Sequence, residues 1–322
     1  MGKSTITLGK LRALQRTSTP GNVFTILALD HRDSLRRLLR PEAPRSLSDL
    51  DMVSFKLDVI NALRDDLSAV LLDPLYGAAQ AILAGIMNHV GLLVELEKAD
   101  DDTPTESSDI VIDSDWSVNK IKRMGADAVK LFFHYNLRDT MFALSQEQTI
   151  RYMVRECAMQ DIPLFAKPII HPRNEVESTA HAYEGVISTA QRIGALGVDV
   201  LMIEFPSHTH THFDESACAE ACHEITESLD IPWVLLSAGV DFETFCQEVE
   251  IACKGGASGF IAGRAIWGDA CSISNRDERR HWLDHDGRPR MKTVQDIASQ
   301  YATPWTQRFR TPLLTTSWFR SY

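Results

Sequence analysis

No apolar run in the 322-residue sequence approaches the ~20 residues that a membrane helix needs. The stretch Met1-Gly2-Lys3-Ser4-Thr5 is polar and has no signal-peptide core, so a cytoplasmic protein is expected. Positive charge is scarce: 33 Lys and Arg face 44 Asp and Glu, a formal net charge of -11. That excludes a general nucleic-acid or anionic-membrane partner, because nothing would offset phosphate repulsion. The basic clusters Arg36, Arg37, Arg40 and Arg279, Arg280 are short and read as solvated helix faces. Cysteines Cys157, Cys218, Cys222, Cys246, Cys253 and Cys271 show neither CxxC nor zinc-finger spacing, so reduced, buried thiols are expected. No glycine-rich turn follows the first apolar run, where Asp30-His31-Arg32-Asp33 stands, which argues against a doubly wound dinucleotide fold. Gly2-Lys3-Ser4 has no upstream glycine or strand that would make it a phosphate loop. No stretch rich in Pro, Gly or Ser reads as a linker, and one domain is expected.

What the chain does have is a recurring pattern. Apolar runs occur at Phe24–Leu29, Ala69–Leu72, Leu92–Leu96, Ala128–Phe133, Pro163–Ile170, Val200–Phe205, Trp233–Leu236 and Gly259–Ala262, each separated by a helical stretch. Near-continuous apolar strands alternating with helices indicate a parallel sheet covered on both faces. Eight such units predict an α/β fold, a (β/α)8 TIM barrel of one domain over 1–322. An amino-terminal extension (1–22) and a carboxyl-terminal tail (305–322) flank it, and the tail is open to packing on the barrel or on another subunit. The acidic stretch Asp100–Asp115 reads as an exposed loop after strand three, either open or with its charges in solvent.

In a barrel the chemistry sits at the carboxyl ends of the strands. Those ends carry Asp30, Asp73, Glu95 or Glu97, Lys130, Lys167, Glu204, Ser237 with Gly239, and Arg264. Alternation places Lys130 on one face with Phe132 and His134, Lys167 with Phe165, and Glu204 with Met202. Burying an unpaired ammonium is costly, so two lysines on consecutive strands point to a tuned site rather than to filling. Neighbouring ammonium groups lower each other's pKa, and a lysine so tuned attacks carbonyls to form a Schiff base. The small-residue turns Ser237-Ala238-Gly239 and Gly263-Arg264-Ala265 stand where barrels bind phosphate, and suit phosphate or sulfonate.

Five segments carry a family resemblance: Ala28-Leu29-Asp30-His31-Arg32, Leu71-Leu72-Asp73-Pro74-Leu75-Tyr76-Gly77, Ala128-Val129-Lys130-Leu131, Leu236-Ser237-Ala238-Gly239-Val240, and the most specific, residues 256–267. On these the chain resembles the class I aldolases of the tagatose-1,6-bisphosphate aldolase family and the related sulfofructose-phosphate aldolases. The resemblance implies a TIM barrel and a lyase acting on a phosphorylated or sulfonated sugar, with no organic cofactor and assembly into a homo-oligomer. It implies an anion site at Ser237, Gly239, Gly263 and Arg264, and Arg32, Asp73 and Glu97 are further candidates for substrate contacts.

The catalytic centre departs from that pattern. The family's Schiff-base lysine lies on strand six in a Lys-Val-Glu-x-Pro setting, where this chain reads Met202-Ile203-Glu204-Phe205-Pro206. The family's acid/base glutamate lies on strand five, where this chain has Lys167. Methionine cannot form an imine. The leading expectation is an aldolase with its nucleophile relocated to Lys167, Lys130 lowering the pKa of that amine, and Glu204 or Asp30 moving protons. A second reading is a non-catalytic sugar-phosphate-binding protein. A third is a metal-dependent lyase or isomerase using His208, His210 and His212, with His171 nearby, since alternate histidines on an extended segment share one face. An exposed polar loop is the plainer account of those histidines.

Overall fold

A computed structural model describes residues 4–98, 109–170, 182–206, 214–320 and 322. Its centre is a closed barrel of eight parallel strands in sequential order. They are β1 (Phe24–Leu29), β2 (Ala69–Leu72), β3 (Gly91–Glu95), β4 (Ala128–Tyr135), β5 (Leu164–Ile170), β6 (Val200–Glu204), β7 (Trp233–Leu236) and β8 (Gly259–Ala262). The expected (β/α)8 architecture is therefore present, with small shifts at strand ends. β4 runs on to His134 and Tyr135, both buried, because the partner strand β5 continues alongside as far as Ile170. β5 starts at Leu164, since Pro163 has no N–H to give a ladder; its carbonyl instead accepts from Val129 N at 3.0 Å.

Alternation along each strand separates two apolar layers. Leu27, Val70, Val94, Leu131, Ala166, Ile203 and Leu235 face outward into the helices. Phe24, Ile26, Leu71, Phe165, Met202, Val234 and Ile261 face inward and fill the barrel. The amino-terminal end is plugged. The helix Leu8–Arg16 inserts Leu14, and Trp305 stacks on Phe24 with ring centroids 6.4 Å apart. The Trp305 indole N–H donates to Ser18 Oγ at 3.0 Å, so its one polar atom is satisfied inside the plug. A short strand, Phe309–Arg310, pairs in parallel with Ser4–Thr5, which fixes this part of the tail on its own barrel. With that end closed, the cavity of the barrel lies at the carboxyl ends of the strands.

The covering helices begin where the sequence supplies acceptors. Ser48 and Asp51 form a reciprocal capping box, and Asp139, Asp214 and Asp241 each accept a first-turn N–H. All six cysteines are free, and burial pushes the thiols of Cys253 and Cys271 up to about 12, which suits reduced packing residues. Among the described residues no helix is long and apolar enough to cross a membrane.

Candidate active site

The turn after β1 delivers Asp30, His31 and Arg32 to the open end of the barrel, where inward-facing positions of β3 and β4 meet them. Lys130 is 1% exposed, and its ammonium reaches three carboxylates from two other strands. Nζ lies 3.0 Å from Asp30 Oδ2 and 3.9 Å from Glu95 Oε2, and it donates to Glu97 Oε1. Glu95 sits beside Lys130 in the β3–β4 register, and Arg32 Nε is 3.1 Å from its second oxygen. Two cations thus face three carboxylates in a largely buried cluster. Burial pushes Glu95 well above the ordinary carboxylate range, with Lys130 pulling against it and Glu97 adding to it. Burial raises Glu97 as well, again opposed by Lys130.

The cavity itself, about 180 Å³ in volume, lies next to this cluster. Its floor is apolar, made of Ala28, Leu71, Met202, Leu236 and Ile261. Asp30, His31, Lys167 and Glu204 form its polar wall, and Ser237, Gly239, Gly263 and Arg264 one end. Lys167 pairs with Phe132 in the β4–β5 register, and its Nζ is 5.4 Å from the centre of that ring. The ammonium of Lys130 is 5.3 Å from the same ring centre. Phe132 therefore stands as the shared neighbour of both amines.

The turn after β7 is built for close approach. Ala238 and Gly239 both take positive φ, 45° and 85°, and for Ala238 that is an uncommon, strained conformation. A β-carbon on Gly239 would stand 3.0 Å from Arg264 Nη2, so the guanidinium rests directly on this turn. Ser237 Oγ accepts the Gly263 N–H at 3.2 Å, which ties the two turns together and leaves the hydroxyl proton for donation. One guanidinium, one hydroxyl and small-residue backbone at one spot suit an oxyanion.

Of the expected site residues, Asp30, Lys167, Glu204, Ser237, Gly239, Gly263 and Arg264 thus line one cavity. Lys130, Glu97 and Arg32 stand outside its wall, in the charge cluster behind Asp30. Lys130, expected to lower the pKa of Lys167, has its charge met by three carboxylates. Asp73 is also corrected. It is fully buried, bonded to the Lys56 ammonium, and its Oδ1 accepts from Leu75 N at 2.9 Å and Tyr76 N at 2.7 Å. Lys56 donates in addition to Leu29 O at 2.8 Å, so this pair holds the ends of β1 and β2 rather than a ligand. Glu95, offered beside Glu97 at the end of the third strand, joins the cluster from the inward face of β3. One residue enters that was not singled out as a site residue: His31, which follows Asp30 directly, and adjacency did not mark it apart. His171, His208, His210 and His212 lie outside the described residues, as does 99–108 of the acidic loop.

A model of a known family, described as DeoC/LacD family aldolase, matches residues 24–269. Tagatose 1,6-diphosphate aldolase 1 of Streptococcus pyogenes serotype M1 is 27% identical over 328 positions, covering 94% of this chain and 99% of the relative. Tagatose 1,6-diphosphate aldolase 2 of Streptococcus mutans serotype c is 28% identical over 325 positions, covering 93% and 97%. Among solved structures, a fructose-bisphosphate aldolase from Plasmodium falciparum superposes with a TM-score of 0.71 at 11% identity, over 94% of this chain and 99% of that one. At that identity the likeness is one of fold.

Proposed function

The chain belongs to the DeoC/LacD family of aldolases, and from that membership we propose that it is a carbon–carbon lyase that cleaves a phosphorylated or sulfonated ketose through an imine at Lys167. One observation carries the choice of residue: Lys167 is the one amine in the cavity wall among the described residues, on the face that also presents Met202 and Glu204. Lys130, the other strand lysine, is held by Asp30, Glu95 and Glu97 and lines no part of that wall. The relatives' substrates are bisphosphorylated sugars by name, which together with the Arg264 turn supports an anionic ketose.

In this reading the anionic end of the substrate rests on Arg264, Ser237 and the backbone of the two turns, which points its carbonyl along the apolar floor toward Lys167. The unprotonated amine adds to the carbonyl to give a carbinolamine, and loss of water leaves an iminium. A carboxylate then removes the proton of the hydroxyl on the far carbon of the bond to be broken, whose oxygen becomes that of the aldehyde. That bond's electron pair moves into the iminium as the aldehyde departs, leaving an enamine, which is protonated at carbon and hydrolysed. Among the described residues two carboxylates line the cavity, Asp30, which is ion-paired to Lys130, and Glu204. Glu204, on the strand paired with that of Lys167, takes the role of base. Asp30, held by Lys130, orients the hydroxyl.

Incubation with dihydroxyacetone phosphate and borohydride, followed by intact mass and peptide mapping, tests this. The expected adduct is the reduced imine on Lys167, absent from Lys167→Ala. An adduct on Lys130 would keep the imine class and overturn the residue. Binding that Arg264→Ala abolishes, with no adduct anywhere, would leave a sugar-phosphate-binding protein.

A further inference from the structure

His31 is 8% exposed and lines the cavity between the polar wall and the anion end. Its ring meets Trp267 edge to face, centroids 5.1 Å apart, and the Trp267 indole N–H donates to Ala28 O at 3.0 Å. The imidazole is therefore mounted on a fixed platform. A β-carbon on Gly263 would stand 3.3 Å from His31 Cε1, so the edge of the ring that carries the nitrogens borders the turn leading into Arg264. On the other side, Nδ1 lies 3.7 Å from Asp30 Oδ1.

Among the described residues, charges stand near this ring on several packed elements. Asp30 belongs to the turn after β1 and is paired with Lys130 of β4; Arg264 follows β8; Lys167 and Glu204 stand in the cavity wall on β5 and β6. Trp267 and Phe55, which packs on it, carry none. Among the described residues the fixed charge at the anion end is the Arg264 guanidinium, since Ser237 and the glycine backbone are neutral donors. One positive charge balances a sulfonate. A phosphate monoester, with a second pKa of about 6, is close to a dianion at neutral pH and leaves one negative charge over. It would also sit near Asp30, and an imidazolium between them separates the two like charges. With an ordinary pKa of about 6.5, imidazole is the side chain able to supply that charge on demand.

Resting on the reading of these turns as an anion site, we propose that His31 takes up one proton from solvent when a phosphate dianion binds, and thereby selects phosphorylated over sulfonated substrates. His31 is a specificity-determining residue in this account, and neither acid nor base in the carbon–carbon step.

Calorimetric titration at pH 8 in two buffers of different ionisation enthalpy counts the protons. Glycerol 3-phosphate and 2,3-dihydroxypropane-1-sulfonate are the probes; at that pH the first is a dianion and the second a monoanion. The wild type is expected to take up a large fraction of one proton with the phosphate and almost none with the sulfonate. Its affinity for the phosphate should fall by up to about tenfold per pH unit above pH 7, by proton linkage. In His31→Gln and His31→Asn the uptake should vanish, the affinity should become flat with pH, and the preference for phosphate should drop by about tenfold, the scale of one linked proton. Equal uptake with both probes in the wild type, which needs no variant, overturns the proposal. So does uptake that persists in a folded His31 variant. If neither probe binds the wild type, or if Arg264→Ala leaves binding unchanged, the anion site itself is wrong and the role of His31 falls with it.

Discussion

The guanidinium of Arg264 lies against the α-carbon of Gly239, close enough that a β-carbon there would stand 3.0 Å from Nη2. With φ at 85°, Gly239 is needed twice, for its backbone conformation and for the space it leaves. Gly239→Ala is therefore expected to displace the guanidinium and weaken binding of glycerol 3-phosphate by tenfold or more, while costing about 1–2 kcal/mol of stability. Calorimetric titration and thermal melting on the same sample separate the two effects. Unchanged affinity would mean that Arg264 does not hold the anion.

Lys130 answers three carboxylates, and its removal should be felt as instability before it is felt in catalysis. Lys130→Met takes the ammonium away from Asp30, Glu95 and Glu97 and leaves Glu95 its ion pair with Arg32. Breaking a buried pair from one side costs about 3–5 kcal/mol. Adding Glu97→Gln to Lys130→Met removes one stranded charge and is expected to recover part of the loss. Urea unfolding of the two variants beside the wild type measures both steps. A Lys130→Met protein as stable as the wild type would show that the cluster is not held by charge pairing.

The barrel was legible because its signal is local. Each strand is a short apolar run, and alternation within it assigns Lys167, Met202 and Glu204 to the interior before any contact is known. The site was legible only where one strand's own parity decided it. Asp73 ends an apolar run as Asp30 does, yet Asp73 turns to Lys56, a residue of the helix Asp49–Leu63 that no spacing connects to it. Glu95 and Glu97 share a parity, and the choice between them as partners of Lys130 depends on how β3 and β4 align. His31 was hidden for a related reason. Its place beside Gly263 comes from the closure of β1 against β8, a contact between the two ends of the barrel sequence.

Stability should decline on the alkaline side through Glu248. This residue, on the helix Phe242–Lys254, is 6% exposed, and its Oε2 has no hydrogen-bond partner among the described residues. Burial, with some help from Asp241, pushes its carboxyl up to about 8. The folded protein thus binds this proton more tightly than the unfolded chain does. Its contribution is fully present below the ordinary glutamate pKa of about 4.3 and is lost as the pH rises through about 8, a change on the order of 5 kcal/mol. Glu248→Gln keeps the shape and removes the titration. Denaturation midpoints between pH 5 and pH 9 should fall for the wild type and stay flatter for the variant; parallel curves would exclude Glu248 as the source.

Lys167 and Met202 stand on adjacent strands whose register, Phe165 with Val200 and Ala166 with Leu201, brings the next residues of each side by side. Both line the cavity, with Glu204 one step further along β6 on the same face. If an imine at Lys167 carries the reaction, the barrel should accept the amine from either strand, because a lysine side chain is longer than the gap between neighbouring strands, about 4.8 Å. Lys167→Glu alone is expected to lose borohydride trapping altogether. Combining it with Met202→Lys puts a carboxylate on β5 and an amine on β6 and should restore trapping, now at position 202, while Met202→Lys alone sets two ammonium groups side by side, lowers the pKa of both and should give adducts at both positions near neutral pH. Peptide mapping of the reduced adducts identifies the site in each variant. Trapping that survives Lys167→Glu in an otherwise unaltered protein would transfer the nucleophile's role to another lysine.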